Sequence, residues 1–180
     1  MPLSKIQSAG IESVSGVTGA GGFLQIKSSF NNTPFSQSVT ANTYEQVDNI
    51  SVSITPSSTS SKIFISFRLF HEANNTQPWQ SGTFIWRDST KINIGTALAD
   101  RGTIMHGPSM GHITNDAAST PDTHSTCTVD APNTTSAIVY KIGFWTSASA
   151  TLYVNRTVTD SNLNYMERGS SELIVMELAG

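Results

Sequence analysis

The sequence predicts an all-β domain, an antiparallel β-sandwich whose strand count and spacing fit a jelly roll. Three observations carry this. Apolar residues alternate with polar ones at period two in run after run, which places them on one face of a strand. No window sustains the i, i+3, i+4 apolar spacing of a helix. Clusters of Ser, Thr, Asn, Gly and Pro separate the runs, so that about eight to ten short strands are divided by turn signals. The composition agrees, since only 13% of the 180 residues are charged and hydroxyl, amide and Gly residues take their place. Such residues favour strands and tight turns over helices.

The stretch 47–70, VDNISVSITPSSTSSKIFISFRLF, is the centre of this reading. Ile50, Val52 and Ile54 share one face, with Ser51, Ser53 and Thr55 on the other. Pro56 has no N–H to donate and stops the ladder. Residues 57–61 turn, and Ile63, Ile65, Phe67 and Leu69 then share the next face. Phe64, Ser66, Arg68 and Phe70 lie opposite, so this second strand packs on both sides. The pattern predicts a β-hairpin.

In chain order, residues 1–22 are rich in Gly, Ser and Ala, with Leu3, Ile6, Ile11, Val14 and Val17 as scattered apolar anchors and GVTGAGG as a hinge. They form an extended segment ahead of a domain spanning 23–180. Residues 23–30 are the first strand, 31–34 a turn, and 39–44 a Thr-rich strand. The polar run HEANNTQPWQ, 71–80, reads as a loop. Residues 83–88 and 91–95 pair as a second hairpin around Asp88, Ser89 and Thr90. Residues 96–126 are irregular, with one short strand near 103–105. Cys127 opens the next strand as a small buried residue. Residues 137–145 follow, with Ile138, Tyr140, Ile142 and Phe144 on one face, then 151–157 with Leu152 and Val154 together. Residues 159–170 form a polar loop. The last strand, 171–178, is apolar on both faces and belongs inside a sheet or at a subunit contact.

Charge and motifs narrow the function. The net charge is −3 and the pI about 5.7, without a basic stripe, which argues against nucleic acid as a partner. Cys127 is the single cysteine, so no intrachain disulfide forms. The opening MPLSKIQSAG lacks the pattern of a signal peptide, and no apolar run approaches the roughly 18 residues that span a bilayer. We expect no enzyme. Acidic residues stand singly in turns, without the carboxylate pair that cleaves glycans. No Gly-x-x-x-x-Gly-Lys phosphate loop is present. His106, His112 and His124 share one irregular stretch with Asp116 and Asp122, but without zinc-like spacing, so a solvated loop is expected and neither metal nor cofactor. Asn31, Asn49, Asn74, Asn133 and Asn155 match Asn-x-Ser/Thr, a pattern chance produces in this composition.

Four segments together carry a resemblance. They are SVSITPSSTSSKIFI at 51–65, WRDSTKINIGTALADR at 86–101, DAPNTTSAIVYKI at 130–142, and LYVNRT followed by SSELIVMELAG at the C-terminus. In this order they resemble the C-terminal domains of structural proteins of tailed phages, notably marine cyanobacterial ones, described as tail-fibre or head-decorating proteins. The resemblance implies a jelly roll like the tumour necrosis factor fold, commonly trimeric, in a virion assembled in the bacterial host cytoplasm. MPLSKIQ is similar to short virion-anchoring N-termini of that group. The chain departs from a long fibre, having no heptads or Gly-X-Y repeats for a shaft.

The expected role is therefore a short trimeric decoration, fibre or adaptor protein. Leu3, Ile6 and Ile11 would dock on capsid or tail proteins, because apolar side chains in a polar tail need a pocket. The alternative is a lectin-like module for host-surface glycans. Trp79 and Tyr165, in polar loops, are then the ring-stacking candidates, while Trp86 and Trp145, in strands, are expected to pack in the core. A secreted signalling ligand of the tumour necrosis factor type would call for a signal peptide or anchor that this opening does not show.

Overall fold

The chain was analysed as a computed structural model, which describes residues 22–74, 80–97, 99, 101–107, 120–164 and 166–180. These residues form strands β1 (Phe23–Asn31), β2 (Phe35–Val39), β3 (Tyr44–Ile54), β4 (Lys62–Ala73), β5 (Ser81–Arg87), β6 (Thr90–Ile92), β7 (Asp122–Asp130), β8 (Ile138–Thr146), β9 (Ala150–Val154) and β10 (Ser171–Leu178). The chain is all-β, in two antiparallel sheets packed face to face.

One sheet runs β1-β10-β4-β9-β2, with β7 also paired to β4; the other runs β3-β8-β5-β6. The pairing explains the branch. Residues 63–71 of β4 pair with β7, and His71 to Ala73 continue onto β9. Setting β2 and β9 aside, β1-β10-β4-β7 faces β3-β8-β5-β6. This is the interleaved order of a jelly roll, in which the chain crosses between the sheets at every step except the β5-β6 hairpin. β5 and β6 form the expected tight hairpin, with Ile85 opposite Ile92 and Asp88 at φ 52° in the turn.

The expected central hairpin does not form. β3 pairs with β8, and β4 pairs with β10 and β7, so residues 55–61 carry the chain from one sheet to the other. Both apolar faces are as read: Ile50, Val52, Ile54, Ile63, Ile65, Phe67 and Leu69 are all buried in one core cluster. They meet across the sandwich instead of lying side by side. Period-two alternation marks the face a strand buries but not its hydrogen-bond partner.

Tyr140, Ile142, Phe144, Leu152, Val154, Leu173 and Val175 complete the core, each fully buried. Burying such side chains contributes about 1.5–3 kcal/mol each. β10 lies between β1 and β4, inside a sheet, the first of the two places its apolar faces suit. Other boundaries moved. The Thr-rich strand expected at 39–44 is instead the end of β2 and the start of β3, separated by a turn with Asn42 at φ 57°. The strand expected near 103–105 is a single bridge between His106 and Thr83.

Cys127 is exposed, not buried. On β7 the inward positions are His124, Thr126, Thr128 and Asp130, while Thr123, Ser125, Cys127 and Val129 face out. The inward side chains are polar because polar partners await them across the sandwich. Asp130 accepts from Arg87 at 2.9 Å and from the Tyr140 hydroxyl at 2.7 Å. With a polar inner face, apolarity misreports the strand's parity.

Candidate functional site

Leu3, Ile6, Ile11, Trp79 and Tyr165 lie outside the described residues, as do His112 and Asp116. The remaining polar candidates assemble differently from the loop the sequence suggested. His124 and Asp122 stand on β7, and they meet His71, which the sequence assigned to a loop but which continues β4. Two polar residues hid that continuation. Glu72 is buried because its carboxylate accepts hydrogen bonds from the N–H groups of Val158 at 2.7 Å and Thr120 at 3.1 Å.

The imidazoles of His71 and His124 are 4.4 Å apart, and His106 lies 5.0 Å from His124. His71 donates from Nδ1 to the Leu69 carbonyl at 3.2 Å when neutral. His124 sits between the Thr83 hydroxyl and the Asp122 carboxylate, each at 3.2 Å. Burial, and then the neighbouring His124, push His71 down to about 3. The same causes lower His106. His71 and His124 are packed into the sandwich, at 3% and 0% exposure. Among the described residues no group of His, Cys, Asp and Glu is arranged to hold a metal ion. The cluster fills the interior where β4, β5 and β7 meet, and within it His106 Nδ1 is buried without a hydrogen-bond partner among the described residues.

The outer face of the β1-β10-β4-β7 sheet carries an apolar row among polar ones. Ile26, Met176, Phe64 and Val129 fall in one register row across its strands. At about 4.8 Å per strand, the row forms a continuous stripe. Ile26 is 60% exposed and Val129 50%. Leu24 and Phe30 extend the patch along edge strand β1, and Ile174 lies half-buried on the same face of β10.

The other sheet's outer face carries aromatic side chains under a covering segment. Phe84 packs edge-on against Tyr44 at 5.4 Å and Trp86 at 5.3 Å. Gly143 sits opposite Phe84, where any Cβ would overlap the ring. Thr103 donates its N–H to the Tyr44 hydroxyl at 2.8 Å, and Ile104 lies over Gly82. Trp86 and Trp145 are thus half-buried on this face, not in the sandwich core. An open groove of about 600 Å³ borders it, lined by Gln37, Ser38, Tyr44, Glu45, Gln46, Asp48, Trp86 and Ser89. Trp86 was misassigned because a strand aromatic can face either way, and the core side of β5 is filled by Thr83, Ile85 and Arg87.

No protein-family model matches the chain, and no curated protein is significantly similar to it. One further sequence signal belongs here. Residues 107–111 read Gly-Pro-Ser-Met-Gly, which has the letters of a nucleophile elbow. Ser109 and the residues after it as far as 119 lie outside the described residues.

Proposed function

We propose that this protein is a structural subunit of a tailed-phage particle, a short decoration, fibre or adaptor that assembles as a homotrimer. Its sandwich self-associates through the outer face of β1-β10-β4-β7. Residues 1–22 attach it to capsid or tail proteins, with Leu3, Ile6 and Ile11 as anchors. The four resembling segments support the virion setting.

The observation that carries self-association is the stripe of Ile26, Met176, Phe64 and Val129, continued along β1 by Leu24 and Phe30. Exposed apolar area of this kind costs free energy in water and is removed by association. β1 is also an edge strand of nine residues, with no second strand beside it among the described residues. Long apolar edges invite pairing, and closed symmetry covers them without runaway assembly.

Light scattering of the purified full chain tests this. A trimer is expected, converted to a monomer of unchanged fold by Met176→Lys with Ile26→Lys, since both side chains point outward. Removing residues 1–22 should leave a trimer that no longer joins particles. A monomer at micromolar concentration overturns the self-association, and normal particle incorporation of the truncated chain overturns the anchoring.

A further inference from the structure

We propose that residues 102–107 form an acid-released strap: at neutral pH His106 pins the segment to the edge of β5, and in mild acid the segment lifts from the sheet while the sandwich stays folded. Release uncovers the aromatic side chains beneath it, Tyr44, Phe84 and Trp145.

The strap crosses the outer face of the β3-β8-β5 sheet on few attachments. Gly102 lies against the Trp145 indole, where a Cβ would overlap the ring, and Ile104 covers Gly82. Thr103 donates its N–H to the Tyr44 hydroxyl at 2.8 Å. At the far end the strap meets β5 in a single bridge. There the Thr83 N–H donates to the His106 carbonyl at 2.8 Å, and the N–H groups of Met105 and His106 donate to the Thr83 carbonyl at 2.9 and 3.1 Å. A segment held by so few bonds opens at lower free energy than the sheet it covers.

The His106 ring is packed 5.0 Å from that of His124, which lies 4.4 Å from His71. His106 Nδ1 is buried and has no hydrogen-bond partner among the described residues. A charged imidazole carries an N–H on both nitrogens. Charging the docked ring therefore fixes a donor where there is neither acceptor nor solvent. The facing groups do not relieve this. β4 presents His71 and Glu72, and the Glu72 carboxylate accepts from the N–H groups of Val158 and Thr120. β7 presents His124 and Asp122, 3.2 Å from each other. β5 and β8 meet the cluster through Thr83 and Phe144, which carry no charge. Asp122 can offset one positive charge among the three rings, and a second so close by is repelled.

His71 and His124 stand on strands paired along their length, whereas one bridge holds His106, so the strap is the part that yields. Burial, and then the neighbouring His124, hold docked His106 below its ordinary 6.5. Once released, the ring recovers its ordinary proton affinity. Acid therefore favours the released form by up to about tenfold per pH unit below 6.5, until the docked ring itself titrates.

The experiment is amide hydrogen exchange of the full chain, followed by NMR from pH 7.5 to 4.5 and corrected for intrinsic exchange. Protection of the Thr83, Met105 and His106 amides should fall by up to about tenfold per pH unit below 6.5. The Trp145 indole signal should shift over the same range, while amides of β4, β7 and β10 stay protected. His106→Asn and His106→Phe, neither of which titrates in this range, should each remove the pH dependence at the strap. Three outcomes overturn the proposal: strap protection that is constant with pH, loss of protection in β4 and β7 in step with the strap, or an unchanged pH dependence in both variants.

Discussion

The carboxylate of Glu177, near the end of β10, accepts hydrogen bonds from both the backbone N–H and the hydroxyl of Ser57, each at 2.6 Å. Ser61 adds a third at 2.7 Å, and the Gln25 amide a fourth. One buried charge therefore ties β1 and β10 to the connection that carries the chain between sheets. Burial alone would raise its pKa, but the four donors outweigh that and hold it at about 2 against an ordinary 4.5.

Replacing this carboxylate by an amide should cost about 2–4 kcal/mol at neutral pH, because charge-assisted bonds weaken and buried donors lose an acceptor. The native protein should also lose stability as pH falls from 4.5 toward 2, where the unfolded chain binds the proton first. Glu177→Gln should lack that acid dependence. Denaturant midpoints across that range for both proteins decide it.

Asp130 serves two partners, Arg87 and Tyr140, and its side chain is only 9% exposed. Burial, then the hydrogen bond to Asp130, raise the Tyr140 hydroxyl far above its usual pKa, so it stays a donor. Asp130→Ala leaves a cation and a hydroxyl without an acceptor and should cost about 3–5 kcal/mol. Tyr140→Phe removes one bond and should cost about 1–2 kcal/mol. Equal losses in urea unfolding would show that the carboxylate matters only through the tyrosine.

His71 gives the fold a second acid sensitivity, at higher pH. Its folded pKa is depressed from 6.5 to about 3. The unfolded chain therefore takes up a proton that the folded chain refuses. Stability is full above pH 6.5 and falls as pH drops toward 3. His71→Leu should flatten the melting temperature between pH 6.5 and 4.5, a window above the one set by Glu177. An unchanged slope there would assign the effect to another group.

Much of the strand inventory was legible in the sequence because β8, β9 and β10 keep clean apolar alternation in Ile138 to Phe144, Leu152 to Val154, and Leu173 to Val175. The readings of 71–73 as loop and of Cys127 as buried share one cause. Glu72, Asp130 and Glu177 are buried through partners from elsewhere in the chain, Val158 and Thr120, Arg87 and Tyr140, and Ser57 and Ser61 respectively, and a single strand's pattern does not contain them. The groove was legible least of all. Trp86, expected in the core, instead lines a groove on the outer face, because a strand aromatic can face either way.

By itself the sequence determined that the chain is all-β, which faces of its main strands are apolar, and that β10 belongs inside a sheet or at a subunit contact. These are local consequences of a two-residue repeat and of side chains that avoid water. Only the tertiary structure decided that β3 and β4 lie in opposite sheets, that Cys127 faces out, and that His71 meets His124. Each of these depends on which strand lies alongside or across from another, and that is settled by burying all the apolar faces at once while every buried polar group finds a partner.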